Sequence, residues 1–290
     1  MWAALVATLG RPSWWAMALA AFLVRGGVLL LLLPIVSLPT TAALVTAVAP
    51  TLETLYLGRP TAEGALLAIA VIGSVLAGLT TAVLAGSWLD LVLVREAAVD
   101  EDIELGWAPS GASVVQAFAL RLTAHLPTAI AVGYALVRLV TVVYEELTAP
   151  GTTDVPVFAR VVARAPDALL AIVLTWLAGE TIGALAARRA WAGASVPRAL
   201  MASLRQLLGA RGLATLVLTS AVVVAVWLPF LLAAAGAWEH LRGRLLDGAA
   251  LLDVAAALVL FATTWVVGLA VVGAALAWRA TAWTAEVPPR

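Results

Sequence analysis

The sequence predicts an all-α fold: a polytopic transmembrane bundle of six helices in a single integral membrane domain over residues 1–290, with two amphipathic helices at the cytoplasmic interface. Three observations carry this. The chain is 63% hydrophobic and only 12% charged, where a soluble domain carries roughly 25% charged residues. Apolar runs of about 20 residues, the length a bilayer core asks of a helix, recur six times. Their length and continuity call for helices, because backbone groups in lipid must bond within their own segment. The runs cover residues 14–38, 65–94, 122–144, 168–187, 213–236 and 249–278.

The first run, WWAMALAAFLVRGGVLLLLLPIVSL, reads as a retained span. It is too long for a signal peptide, Arg25 interrupts it, and no small-residue cleavage site follows. The loop after it (39–63) is apolar enough for an interfacial helix, punctuated by Pro39 and Pro50. The second span ends in GSWLDLVLVRE and leads to the acidic run Asp100, Glu101, Asp102 and Glu104. That run lacks the spacing and glycine of a calcium loop and reads as solvated.

Ser113 and Gln116 have the spacing of a capping box ahead of VVQAFALRL, which leads into the third span. His125, beside Pro127, reads as an interfacial histidine. Arg138, in the outer half of that span, is expected to reach outward to Glu145 or Glu146. The loop over 145–167 is rich in Pro, Thr and charge and reads as irregular. In the fourth loop, AGASVPRALMASLRQLLGARG, Ser195 is the expected N-cap with Pro197 in the first turn. Leu200, Leu204, Leu207 and Leu208 follow at helical spacing. This predicts an amphipathic interfacial helix, with Arg198, Arg205 and Arg211 as candidate contacts to anionic lipid headgroups.

Spans four (TWLAGETIGALAARRAW) and six (TWVVGLAVVGAALAWRATAW) echo each other, as do FALRL and ASLRQL around Arg121 and Arg205. The pattern is an inbound span, an interfacial helix and an outbound span, occurring twice. Six spans put both termini on one side. Ten arginines lie on that side and five on the other, so the positive-inside rule puts the termini in the cytoplasm. All 17 basic residues are Arg, in a chain rich in Ala, Val, Leu and Gly, which points to a GC-rich bacterial genome and its inner membrane.

The polar residues inside the spans are the handle on function. A charge at the depth of Arg25 costs from about 2.5 to more than 10 kcal/mol, so it needs a partner or a role. Arg25 lies some 17 Å from the cytoplasmic start of span one, and Glu180 some 12 Å above the same face of span four, at 1.5 Å per residue. Glycines flank both charges, Gly26 and Gly27 on one span and Gly179 and Gly183 on the other, and let helices approach closely. The expected intramembrane ion pair is Arg25 with Glu180. Asp90, nearer the cytoplasmic end of span two, is the alternative partner.

No cysteine is present, and the two histidines, His125 and His240, exclude a multi-histidine metal site. Zero net charge gives no footprint for nucleic acid. Phosphate-binding glycine loops, HExxH, Gly-x-Ser-x-Gly and paired intramembrane acids are missing. The expectation is no catalytic residue, no metal and no cofactor. The chain reads as a non-enzymatic scaffold, assembly factor or partner subunit; the alternative is a small transporter or permease subunit with a path near Arg25, Asp90 and Glu180. Its partners would be the lipid bilayer, anionic lipids, other membrane subunits or itself.

The first-span segment VRGGVLLLLLPIVSLPT (24–40), with six spans and interfacial helices, resembles uncharacterised six-helix integral membrane proteins of GC-rich bacteria. More loosely, it resembles the membrane domain attached to some glycerophosphodiester phosphodiesterases. No phosphodiesterase domain is present, so the resemblance implies topology and not that activity.

Overall fold

A computed structural model describes residues 2–32, 35, 62–100, 111–148 and 157–285. Regular structure among them is entirely helical. In chain order the elements are α1 (Trp2–Leu9), α2 (Pro12–Phe22), a π-helical segment (Leu23–Gly27), α3 (Val28–Leu32) and α4 (Ala62–Asp100). Then come α5 (Gly111–Ala124), α6 (Leu126–Thr148), α7 (Val157–Arg164), α8 (Pro166–Trp191), α9 (Val196–Leu208), α10 (Ala210–Leu246) and α11 (Leu251–Ala285). The loop predicted over 39–63 lies outside the described residues up to position 61, as do the end of the first run and most of the acidic run after Asp100.

Five described stretches are long and apolar enough to cross a membrane: Leu76–Val99, Leu126–Glu146, Pro166–Trp191, Ala210–Leu246 and Leu251–Ala285. The first apolar run differs. It is divided at Arg25 (φ −79°, ψ 15°) and Gly26 (φ 102°, ψ −2°), so α2 and α3 are two short helices across a kink. Only glycine takes that φ without strain, and the adjacent Gly26-Gly27 sequence is the local cause.

A short helix leads into a long one at α5–α6 and at α9–α10, and again at α7–α8. Helix α5 is already formed at Gly111, so Ser113 sits inside it and not at its cap. Helix α6 starts anew after His125, because Pro127 lacks an N–H and suits a first turn. Ser195 does hold the N-cap position of α9 (φ −65°, ψ 151°), but its hydroxyl makes no capping bond. Helix α8 ends in a glycine cap: Gly193 has φ 91° and Ala194 N–H donates to Arg189 O at 2.9 Å.

The chain forms two compact units. In the unit comprising Met1–Val36, Thr81–Leu120 and Ala184–Arg290, α10 packs along α11, which also carries α1 and α2. Its core is dominated by small side chains around a few large ones: Trp14, Ala18, Leu93, Ala97 and Ala277 in one cluster, and Leu31, Phe230, Ala234 and Val272 in another. In the unit comprising Ser37–Thr80 and Arg121–Gly183, α6, α7 and α8 close around Ala135, Val142, Ala165 and Ala168.

Small residues inside and large ones outside is the pattern of helices packed in lipid. Ile130, Val137, Leu232 and Val266 are all exposed, where a soluble monomer rarely shows extended apolar patches. Hydroxyls fit the same setting. Thr141, Thr175, Thr181, Ser203, Thr219 and Thr264 each donate to the carbonyl four residues back, which removes an orphan donor without water.

Candidate functional site

Among the described residues, an arginine–carboxylate nest lies within the apolar helices of each unit. The first forms at the kink. Arg25 Nη2 donates to Asp90 Oδ1 at 3.1 Å, and Arg25 Nε donates to Ala21 O at 2.9 Å. The guanidinium is one-fifth exposed and the carboxylate 11%. The bond to Ala21 shows that the side chain runs back one turn toward the start of α2, the direction helical side chains favour. That reach lowers the charge toward the depth of Asp90, the acid weighed as the alternative partner. Helix α4 receives the stem of Arg25 at Gly86, where a Cβ would come within 2.9 Å of Arg25 Cγ. Ser87, fully buried on the next position, has a hydroxyl with no hydrogen-bond partner among the described residues.

The second nest lies where α5 gives way to α6. Arg121 Nη1 donates to Glu180 Oε2 at 3.2 Å, and the Arg121 side chain is almost fully buried. His125 Nδ1 lies 2.8 Å from Arg121 O. A carbonyl only accepts, so Nδ1 carries the proton and Nε2 faces Glu180 Oε1 at 3.8 Å. The cation found against the Glu180 carboxylate is therefore Arg121, a residue the sequence marked only through its echo with Arg205.

The four glycines expected to serve packing divide. On α8, a Cβ at Gly179 would stand 3.0 Å from Ala124 O, and one at Gly183 would stand 3.2 Å from Arg121 Cγ. Both hold a close approach to the Arg121 segment. Gly27 faces the ring of its own neighbour Phe22, whose Cε1 lies 2.3 Å from where a Cβ would be. No described atom lies within 4 Å of a Cβ at Gly26, whose φ of 102° makes the backbone turn.

A third charged group closes one end of the second unit. Glu146 accepts from Arg160 Nε at 2.6 Å and Arg164 Nη1 at 3.0 Å, and Glu145 accepts from Arg164 Nη2 at 2.5 Å. The bonds to Glu146 and then Glu145 raise the Arg164 guanidinium above its ordinary value. Arg138 was expected to seek Glu145 or Glu146. It donates instead to Arg164 O at 3.3 Å, covering the carbonyl end of α7. Arg198, Arg205 and Arg211 are exposed, on α9 and the first turn of α10.

Chemically, both nests set a permanent cation against a carboxylate. That arrangement neutralises charge and fixes helices. Among the described residues there is no group of three His, Cys, Asp or Glu placed to hold a metal ion.

Fold and nests together define the class: an all-helical protein with five described helices able to cross a membrane, each unit holding an internal arginine–carboxylate pair. No family model, curated protein or solved structure matches the chain.

Proposed function

We propose that the chain is a six-span, non-enzymatic protein of a bacterial inner membrane, acting as a scaffold, assembly factor or partner subunit. The kinked α2–α3 segment would supply the first of the six spans. The ten-to-five arginine bias supports cytoplasmic termini, and the arginine-rich, lysine-free composition supports a bacterial source. The resemblance to six-helix bacterial membrane proteins supports the same topology. Other membrane subunits, or a second copy, would be its protein partners.

The observation that carries the reading is that two arginines within its apolar helices meet carboxylates in their own unit, Arg25 with Asp90 and Arg121 with Glu180, beside glycines whose replacement would crowd the pair. Such pairs serve assembly and register, because each charge is matched before any ligand arrives.

A second reading, a small transporter or permease subunit, is favoured by one feature: the helix break at Arg25–Gly26 beside a charged pair. Broken helices at membrane depth commonly line transport sites. The chain has no cysteine, so Ser87→Cys creates a unique reporter beside Asp90. In proteoliposomes the scaffold predicts no reaction with a membrane-impermeant cationic thiol reagent from either face. Rapid labelling from one face would overturn it in favour of transport.

A further inference from the structure

Helix α9 is amphipathic in an unusual sense, since its outward face is itself divided. Ala199, Ser203 and Leu207 are buried, with Ala199 packed among Leu120, Ala186 and Ala190. Met201, Leu204 and Leu208 are exposed, and so are Arg198 and Arg205. At 100° per residue, positions 198 and 205 fall within about 20° of one line and about 10 Å apart along the axis. The three large apolar side chains form the adjoining line. Among the described residues neither guanidinium has a hydrogen bond or ion pair, and no Asp or Glu occurs anywhere in residues 181–238. Helix α10 follows at once and is exposed along Leu213, Val217 and Leu218. The corner between them is fixed, since a Cβ at Gly212 would fall 1.9 Å from Gln206 O. Arg189 donates to Gln206 Oε1 from α8 and holds the same corner.

We propose that α9 is a docking face for anionic phospholipid. The phosphates of neighbouring headgroups pair with Arg198 and Arg205, while Met201, Leu204 and Leu208 enter the acyl layer beside them. Arginine suits this because its planar fork binds phosphate bidentately. Only a bilayer offers a continuous layer of phosphate beside a continuous apolar layer, which is the order of the two lines on α9. Arg211, beyond the corner, belongs to α10 and is no part of the pair. The inference holds for a scaffold and for a transporter alike.

The test uses the full chain in nanodiscs of phosphatidylglycerol and phosphatidylcholine, followed by release into detergent and native mass spectrometry of the retained lipids. Wild type should retain phosphatidylglycerol preferentially, and Arg198→Gln with Arg205→Gln should lower that preference by about fivefold per arginine. Arg244→Gln, an exposed arginine in the last turn of α10, should leave it unchanged. Unaltered preference in the double variant overturns the proposal. So does equal displacement of the lipid by inorganic phosphate, which would mark a soluble-anion site. Should the double variant fail to fold, a nitroxide on Leu204→Cys in the otherwise native chain gives a separate reading. Collision with oxygen should exceed collision with a water-soluble nickel chelate, as for a residue in the acyl layer. The reverse, or burial of the label under a bound protein, overturns the proposal.

Discussion

Gly86 makes the space into which the Arg25 side chain packs: a Cβ at position 86 would stand 2.9 Å from Arg25 Cγ, 3.0 Å from Cδ and 3.1 Å from Nε. An arginine inside an apolar run is thus accommodated by removing a side chain from the facing helix. Gly78, on the same helix, has no described atom within 4 Å of such a Cβ. Alanine at either position gains up to about 1 kcal/mol of helix propensity. At position 86 overpacking of about 1–3 kcal/mol opposes that gain. Gly86→Ala should lower the melting temperature in detergent and Gly78→Ala should hold or raise it. Equal effects at both positions would show that Arg25 does not pack there.

Asp90→Ala leaves the Arg25 guanidinium without its carboxylate at 3.1 Å. Removing one partner of a buried pair costs roughly 3–5 kcal/mol, and the partial exposure of both groups puts the expected loss toward the lower figure. Replacing both by leucine should cost less than either single change, because no charge is then stranded. Reversible unfolding of the three variants by denaturing detergent measures this. A double variant as damaged as the sum of the singles would mean the two residues do not interact.

Five of the long apolar helices were legible because about 20 apolar residues in a row have few other uses, whereas the kink that divides the first run at Arg25–Gly26 is a backbone feature that a count of apolar residues does not register. Arg25's partner was harder to read. Counting residues compares backbone depths, whereas the arginine reaches back a full turn to bond Ala21 O, which favours the shallower Asp90. Glu180's partner was hidden for another reason. Arg121 lies 59 residues away in a short helix, and only the close approach permitted by Gly179 and Gly183 brings it beneath the carboxylate. Ser113 lies within α5 and not at its start, because a capping-box spacing at Ser113 and Gln116 does not itself end the helix on its N-terminal side.

Gly179 tests that close approach. Its Cβ would meet a backbone oxygen, Ala124 O, at 3.0 Å, and the ring of His125 at the same distance. Backbone yields less readily than a flexible side chain, so Gly179→Ala should destabilise by about 1–3 kcal/mol. Gly179→Leu should abolish accumulation of folded protein. Gly133→Ala, with no described atom within 4 Å, is the control and should hold or raise stability. Tolerance of leucine at position 179 would show that α8 does not approach the Arg121–His125 segment this closely.

Glu145 and Glu146 are neighbours with unequal roles. Glu146 is largely shielded and accepts from both Arg160 and Arg164, whereas Glu145 and Arg164 are nearly half exposed. Exposed pairs contribute little and are screened by salt. Glu146→Gln should therefore speed hydrogen exchange across α7 and lower the melting temperature, while Glu145→Gln should change neither measurably. Matching effects, or a loss from Glu145→Gln that high salt does not alter, would contradict the assignment.

Gly26 allows the decisive test of the kink, because its surroundings are open. With φ at 102° and no described atom within 4 Å of a Cβ, alanine there meets no neighbour, and its cost is a backbone cost of about 1–2 kcal/mol. The chain can avoid it only by continuing α2 as regular helix through Arg25. That would rotate the arginine away from Asp90. Gly26→Ala should then lose stability through two routes, strain and a weakened ion pair, and the second route vanishes when Asp90 is already alanine. The two substitutions should be non-additive, with the double variant less damaged than the sum of the singles, because contacting or backbone-coupled sites fail to add. Strict additivity in denaturing-detergent titrations would show that the kink and the ion pair are independent features, and that the break is there for something other than delivering Arg25 to Asp90.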